Sequence, residues 1–215
     1  MNNIVAVNGS PKTKNGASAM FISQIEDFLE TKITVYQAVK LARQEDISIA
    51  LSDILKADTL LIVFPLYVDS LPAPLIKVLT LLEREVINTN GQLPKVYAIC
   101  NCGFYEDRHN RLALNIIENF SVRSGMSWGG GVGIGGGEFV RMQARGLCRG
   151  SVANVFAALR ELAELIQSGS VGKQNVFVSP RIPRFLYRLG GNMRWLYMAW
   201  KHGKAHSIKT RPHRP

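Results

Sequence analysis

The chain has 215 residues, 47% of them hydrophobic, enough for one good core with an appendage, and it contains no apolar run of the roughly eighteen residues a spanning helix needs. Its formal net charge of +10 would suggest a nucleic-acid binder if it were spread over the fold. It is not: residues 1–172 balance 16 Lys and Arg against 16 Asp and Glu, whereas residues 173–215 hold ten Lys and Arg, three His and no acid.

Residues 4–7, Ile-Val-Ala-Val, form a short apolar run rich in β-branched side chains, which predicts a strand buried on both faces of a parallel sheet. The run stops at Asn8-Gly9-Ser10-Pro11. Hydroxyls (Ser10, Thr13, Ser18), the flexible Gly16 and two cations, Lys12 and Lys14, then precede Met20, Phe21, Ile25, Phe28 and Leu29 at helical spacing. The first turn of such a helix has unpaired amides and the positive end of its dipole, so the stretch reads as an anion cradle. Neither G-x-x-x-x-G-K-[ST] nor G-x-G-x-x-G follows the strand, and an ordinary β–α connection capped by Ser18 is the plainer alternative.

A second strand is predicted over Ile33 to Tyr36, and Ile47, Ile49, Leu51, Ile54 and Leu55 mark a helix ending near Asp58. Thr59 to Phe64 is a third strand, apolar or β-branched throughout and thus suited to burial on both faces. The loop after it holds Pro65, Pro72 and Pro74, which stiffen it, and Pro74 suits the first turn of a helix through Leu75, Val78, Leu79 and Leu82. Lys95 to Cys100 is the fourth strand, followed by the loop Asn101 to Asp107 and a helix with Leu112, Leu114, Ile116, Ile117 and Phe120. Met126 to Ile134 is a fifth strand carrying Gly129, Gly130, Gly131 and Gly133 and running on into Gly135, Gly136 and Gly137. So much glycine implies either close approach of a backbone or ligand, or a bulged edge strand. Residues 151–168 form the last long helix of this part.

Five strands alternating with five helices predict an α/β fold, a doubly wound five-stranded parallel sheet with right-handed crossovers. Ligands of such sheets sit beyond the carboxyl ends of the strands, where strand order reverses. The loops after the first, third and fourth strands all end there.

Together these loops resemble those of the flavodoxin-fold NAD(P)H-dependent FMN reductases and quinone reductase-like flavoproteins, over residues 1–168. The pairing of Asn8-Gly9-Ser10-Pro11-Lys12 with Pro65-Leu66-Tyr67 at this separation is the most specific element. By that resemblance Ser10, Lys12, Gly16, Ala17 and Ser18 hold the phosphate of FMN. Pro65, Leu66, Tyr67 and Val68 line the flavin ring, and Asn101, Cys102, Gly103 and Phe104 close over its other edge. Tyr67 and Phe104 offer aromatic faces to the ring or to a nicotinamide, with core or lid packing as their alternative. The hydride chemistry belongs to the flavin, so no catalytic acid–base pair is expected of the protein.

Cys100, Cys102 and Cys148 form neither a disulfide framework nor the compact cluster of iron–sulfur relatives, and no signal sequence opens the chain, so a reducing cytoplasm is expected. Cys102 reads as a small buried residue rather than a redox centre. His202 and His206 have i, i+4 spacing but no carboxylate beside them, and no metal site is expected.

Gly169 to Gly172 reads as a hinge between a flavodoxin-like domain, 1–172, and a basic, aromatic-rich tail, 173–215. Val176 to Pro183 is expected to be extended, with two short helices after it, Arg184 to Leu189 and Met193 to Lys201, split by Gly190-Gly191. The tail packs on the body or a second subunit of a homo-oligomer such as a dimer, or lies on an anionic membrane surface; nucleic acid is the weakest fit because no reader motif accompanies the cations. The expected activity is an FMN-dependent oxidoreductase that takes hydride from NADH or NADPH and reduces a quinone, free flavin, nitro compound or similar small acceptor. A flavodoxin-like electron carrier without its own nicotinamide activity is the alternative.

Overall fold

A computed structural model describes residues 3–12, 15–44, 46–87, 89, 91–144, 149–172 and 174–204. Thr13, Lys14, Cys148 and His206 lie outside the described residues. The strands are β1 (Ile4–Asn8), β2 (Thr34–Gln37), β3 (Thr59–Pro65), β4 (Lys95–Asn101), β5 (Trp128–Ile134) and β6 (Val176–Val178). The helices are α1 (Ala17–Leu29), α2 (Ala38–Ala42), α3 (Ile47–Lys56), α4 (Ala73–Ile87), α5 (Arg111–Arg123), α6 (Gly137–Gln143), α7 (Ala153–Ser168) and α8 (Arg184–Lys201).

All strand pairs are parallel, in the order β2-β1-β3-β4-β5-β6. The chain goes from β1 outward to β2 and then crosses back to β3 on the other side of β1. Strand order therefore reverses between β1 and β3, and beyond their carboxyl ends lies the place where sheets of this kind form a ligand crevice. Along β3 the period-two alternation divides the core. Leu60, Ile62 and Phe64 point to the face that packs with Leu51, Ile54, Leu75 and Leu82, while Leu61 and Val63 point to the face with Phe21, Ile25, Val155 and Leu159. Both faces are covered, which is why β1 and β3 are apolar throughout.

The sheet has six strands, not the five expected. β6 is three residues long and pairs Val132 with Val176, Gly133 with Phe177 and Ile134 with Val178. So short a strand leaves no periodicity to read. It also decides the question of the glycine-rich strand: β5 is not at the edge but between β4 and β6, although its register with β4 does shift at Val96/Tyr97. Its glycines make room for neighbouring side chains. A Cβ on Gly133 would lie 2.7 Å from the Phe177 ring, and one on Gly129 would collide with the Tyr97 ring. The Tyr97 hydroxyl, so admitted, donates within reach of Leu165 O (3.0 Å) and Ser170 O (2.7 Å).

The chain divides into two compact units, Met1–Pro180 and Arg181–Pro215. In the second, α8 runs unbroken through Gly190 and Gly191 where two short helices were expected. The pair costs helix propensity, about 1 kcal/mol for each glycine, but neither removes a hydrogen-bond donor as a proline would.

Candidate functional site

The crevice is bounded by three loops, and each is shaped by hydrogen bonds its own sequence supplies. Gly9 N donates to Val63 O (2.8 Å), which turns the chain sharply off β1 across the end of β3. Only glycine fits there: a Cβ would lie 2.7 Å from Phe64 Cβ and 2.9 Å from Leu75 Cδ2. Asn8 Oδ1 accepts from Ser10 N (3.0 Å) and Ser10 Oγ from Lys12 N (3.2 Å), two successive side-chain-to-backbone turns that curl the loop back on itself. A Cβ on Gly16 would meet Lys12 O and Ser10 Oγ at 3.5 and 3.6 Å, so the two ends of the loop face each other.

Gly16 is the N-cap of α1, with an extended backbone, no capping side chain and no acid in the first turn. The amides of Ala17 and Ser18 therefore have neither an internal partner nor a neutralising carboxylate, and the positive end of the helix dipole is exposed to the loop. At the other end of the loop the side chain of Asn8 is fully buried, and among the described residues its Nδ2 has no hydrogen-bond partner. A buried amide donor left unpaired costs about 1–3 kcal/mol, which makes it a strong pointer to a ligand acceptor at this place. The loop resemblance left Asn8 out of the contact set. Its signal in the sequence was an asparagine ending an apolar strand just before Gly-Ser.

In the second loop Leu66 N donates to Asn101 O (2.7 Å) and anchors the chain to β4. Tyr67 and Ser70 then exchange 3.0 Å backbone bonds in both directions around Val68 (φ 50°) and Asp69 (φ 55°), a tight turn with both central residues left-handed. A β-branched residue is strained in that conformation. Leu66 is buried, Pro65 half-buried, Tyr67 45% exposed and Val68 fully outside.

In the third loop Asn101 Nδ2 donates to Phe64 O (3.0 Å) and to Ser18 Oγ (3.3 Å), so one buried side chain joins the ends of β3, β4 and α1. Ser18 is thus held against Asn101 rather than standing free in the cradle. The turn into α6 straps this loop from behind: Gly137 N donates to Cys102 O (2.8 Å), Gly136 N to Phe104 O (2.6 Å) and Cys102 N to Ile134 O (3.0 Å). A Cβ on Gly137 would sit 2.6 Å from Asn101 Oδ1. The glycine run was read in the sequence only as a strand feature, and its service to the third loop is a contact between distant segments.

Cys102 is buried, its Sγ lying 3.5 Å from Phe104 O and accepting from Asn110 Nδ2 at 3.5 Å. Burial pushes its thiol up, and more strongly that of Cys100. Both are protonated at neutral pH, the opposite of a reactive thiolate. Phe104 is 56% exposed and inclined at 35° to the His109 ring, 4.5 Å away. Neither it nor Tyr67 is a core residue. Around Gly103 a Cβ would meet nothing, so the third loop leaves open space at its tip.

Two surface hollows, of about 480 and 620 Å³, are lined by Phe28, Phe156 and Arg160 and by Arg111, Asn115 and Phe177 among others. Neither includes a residue of the three loops, and neither collects convergent polar donors as the crevice does. Concavity and chemistry point to different places, and the donors favour the crevice.

No family model and no curated protein sequence matches the chain. Among solved structures it is similar to an apo NADH:FMN oxidoreductase, with TM-score 0.61 and 15% identity over 80% of this chain and 92% of that one. It is also similar to a flavodoxin from Streptococcus pneumonia TIGR4 (TM-score 0.53, 13% identity, 77% of this chain and 99% of that one). An NADPH-quinone reductase from P. pentosaceus gives TM-score 0.53 and 17% identity over 76% of this chain and 98% of that one. At such identities the likeness is one of fold, and the fold is the flavodoxin-like one that the three loops led one to expect.

Proposed function

We propose that the chain is an FMN-dependent oxidoreductase that accepts hydride from NADH or NADPH and passes reducing equivalents to a small acceptor such as a quinone, a free flavin or a nitro compound. The observation that carries the reading is that the loop at the strand-order reversal holds both an uncapped start of α1 and the unpaired buried amide of Asn8. That donor set fits a terminal phosphate and its ester: the start of α1 would stabilise the dianionic charge, and the amides of Ala17 and Ser18 would donate to it.

On this reading Ser10, Lys12, Gly16, Ala17 and Ser18 hold the phosphate, with Asn8 added to them. Pro65 to Val68 and Asn101 to Phe104 border the ring. Bound FMN supplies the hydride acceptance and the one- and two-electron redox chemistry. The protein positions the partners: Leu66 fixes the second loop on β4, Asn101 sets the spacing of three element ends, and the exposed rings of Tyr67 and Phe104 present flat apolar faces to a nicotinamide. Cys102 takes no part in electron transfer, because its protonated thiol is packed beneath Phe104 O.

The test is the absorption spectrum of the purified protein followed by anaerobic titration with NADH and with NADPH. Rapid, stoichiometric bleaching by either coenzyme supports the reductase. The electron-carrier reading replaces it if only dithionite or a separate reductase bleaches the protein.

A further inference from the structure

Helix α8 buries none of its eighteen residues, yet it is one of the most aromatic segments of the chain. Phe185, Trp195, Tyr197 and Trp200 are 67, 77, 58 and 69% exposed. At 100° per residue, Phe185, Leu196, Leu189, Trp200, Met193 and Tyr197 fall in that order on one uninterrupted arc of about 120°. Arg188 lies beyond one margin of the arc and Lys201 and Arg194 beyond the other, while Arg184, Trp195 and Met198 fall on the opposite face. No acidic residue occurs in the helix or anywhere from residue 181 to 215.

We infer that α8 is an interfacial helix that lays its apolar arc into the surface of an anionic lipid bilayer. An apolar stripe bordered on both sides by Arg and Lys, with aromatic rings within it, suits the boundary between acyl chains and phosphate headgroups. The stripe enters the hydrocarbon margin while the long cationic side chains reach back to the phosphates. Spanning is excluded by the four cations in eighteen residues, and no helix among the described residues is long and apolar enough to cross a membrane. A second copy of the helix is a poor occupant, because it would add four more cations to the assembly and neither helix carries an acid. Nucleic acid would engage the cation-bearing face and leave the apolar arc in water. The inference stands apart from the flavin reading, since it uses none of the three loops.

The experiment is co-sedimentation of the full chain with vesicles of phosphatidylglycerol and phosphatidylcholine and with vesicles of phosphatidylcholine alone, with tryptophan emission recorded in parallel. Binding to the anionic vesicles, a blue shift of emission and release by added salt are expected. Leu189→Glu with Trp200→Glu should reduce partitioning at least about tenfold, and Arg188→Gln with Lys201→Gln several-fold. Circular dichroism and the melting temperature of each variant, expected to match the unsubstituted chain, separate lost binding from lost folding. Equal binding to neutral vesicles, or none to either kind, overturns the inference. So does a dimer that Leu189→Glu with Trp200→Glu dissociates in the absence of lipid binding, which assigns the arc to a second copy, or retention by polyanionic nucleic acid without retention by vesicles.

Discussion

The crevice and helix α8 break the usual inside–outside rule in opposite directions. At the crevice polar side chains are buried: Asn8, Ser10, Ser18 and Asn101 are at most 5% exposed, inside a sheet whose neighbouring strands are apolar. In α8 large apolar side chains are exposed along a face bordered by cations. Neither departure shows in bulk composition, and each is informative for the same reason. A polar atom taken from water, or an apolar surface left in it, carries a cost that a binding partner can relieve.

The contrast makes the two ends of the chain separable, and the largest test of it is where the chain is cut. Ending the chain after Pro180 removes α8 and keeps β6, so the melting temperature should stay within about 2 °C of the whole protein. Ending it after Gly172 also removes the pairs of β6 with β5, the Phe177 ring over Gly133 and the Asn154 Nδ2 bond to Ser179 O (2.8 Å). That loss should lower the transition by about 10 °C, at about 2–4 °C per kcal/mol for a domain of this size. Equal melting of the two truncations would erase the distinction between body and terminal unit.

The same substitution should act with opposite sign in the two regions. Gly9→Ala places a methyl against Phe64 and Leu75 and should destabilise by about 1–3 kcal/mol in urea denaturation, weakening FMN as well. Gly190→Ala meets nothing within 4 Å and should strengthen α8 by about 1 kcal/mol, read as far-ultraviolet helicity.

A smaller effect concerns alkaline pH. Burial raises the Tyr97 hydroxyl from 10.0 to about 12, and the hydrogen bond to Asp53 raises Tyr36 likewise. Because these folded values exceed the unfolded one, the stability they contribute is fully present below pH 10 and is lost as pH rises from 10 to 12. Tyr97→Phe should cost about 1 kcal/mol at neutral pH and flatten that alkaline loss, followed by denaturation midpoints against pH. The least effect is expected at Val68→Gly, which relieves a left-handed β-branched residue and should stabilise by under about 1 kcal/mol in the same assay.

How legible the sequence was follows the same division. β1, β3 and β4 were readable because burial on both faces leaves unbroken apolar runs, and the loops after them follow once those strands are placed. β6 was read only as part of an extended segment and not as a strand of the sheet, because three residues carry no period, and α2, five residues from Ala38, was missed because it directly continues β2. In α8 the Gly190-Gly191 pair argued locally for a break that the chain does not make. Within the crevice, residue types pointed to the loops but not to their wiring. The Asn101 bonds to Phe64 O and Ser18 Oγ join positions 37 and 83 residues apart, and the Gly137 contact with Asn101 is equally non-local.

The phosphate cradle is the central claim, and equilibrium titration of the apoprotein with FMN against riboflavin tests it most directly, since the two ligands differ only in the phosphate. FMN should bind at least about a hundredfold tighter, given about 1.5 kcal/mol or more for each of two charge-assisted hydrogen bonds, and Ser10→Ala should narrow the gap. Equal affinity for the two ligands would contradict the assignment of Asn8, Ser10 and the start of α1 to a phosphate.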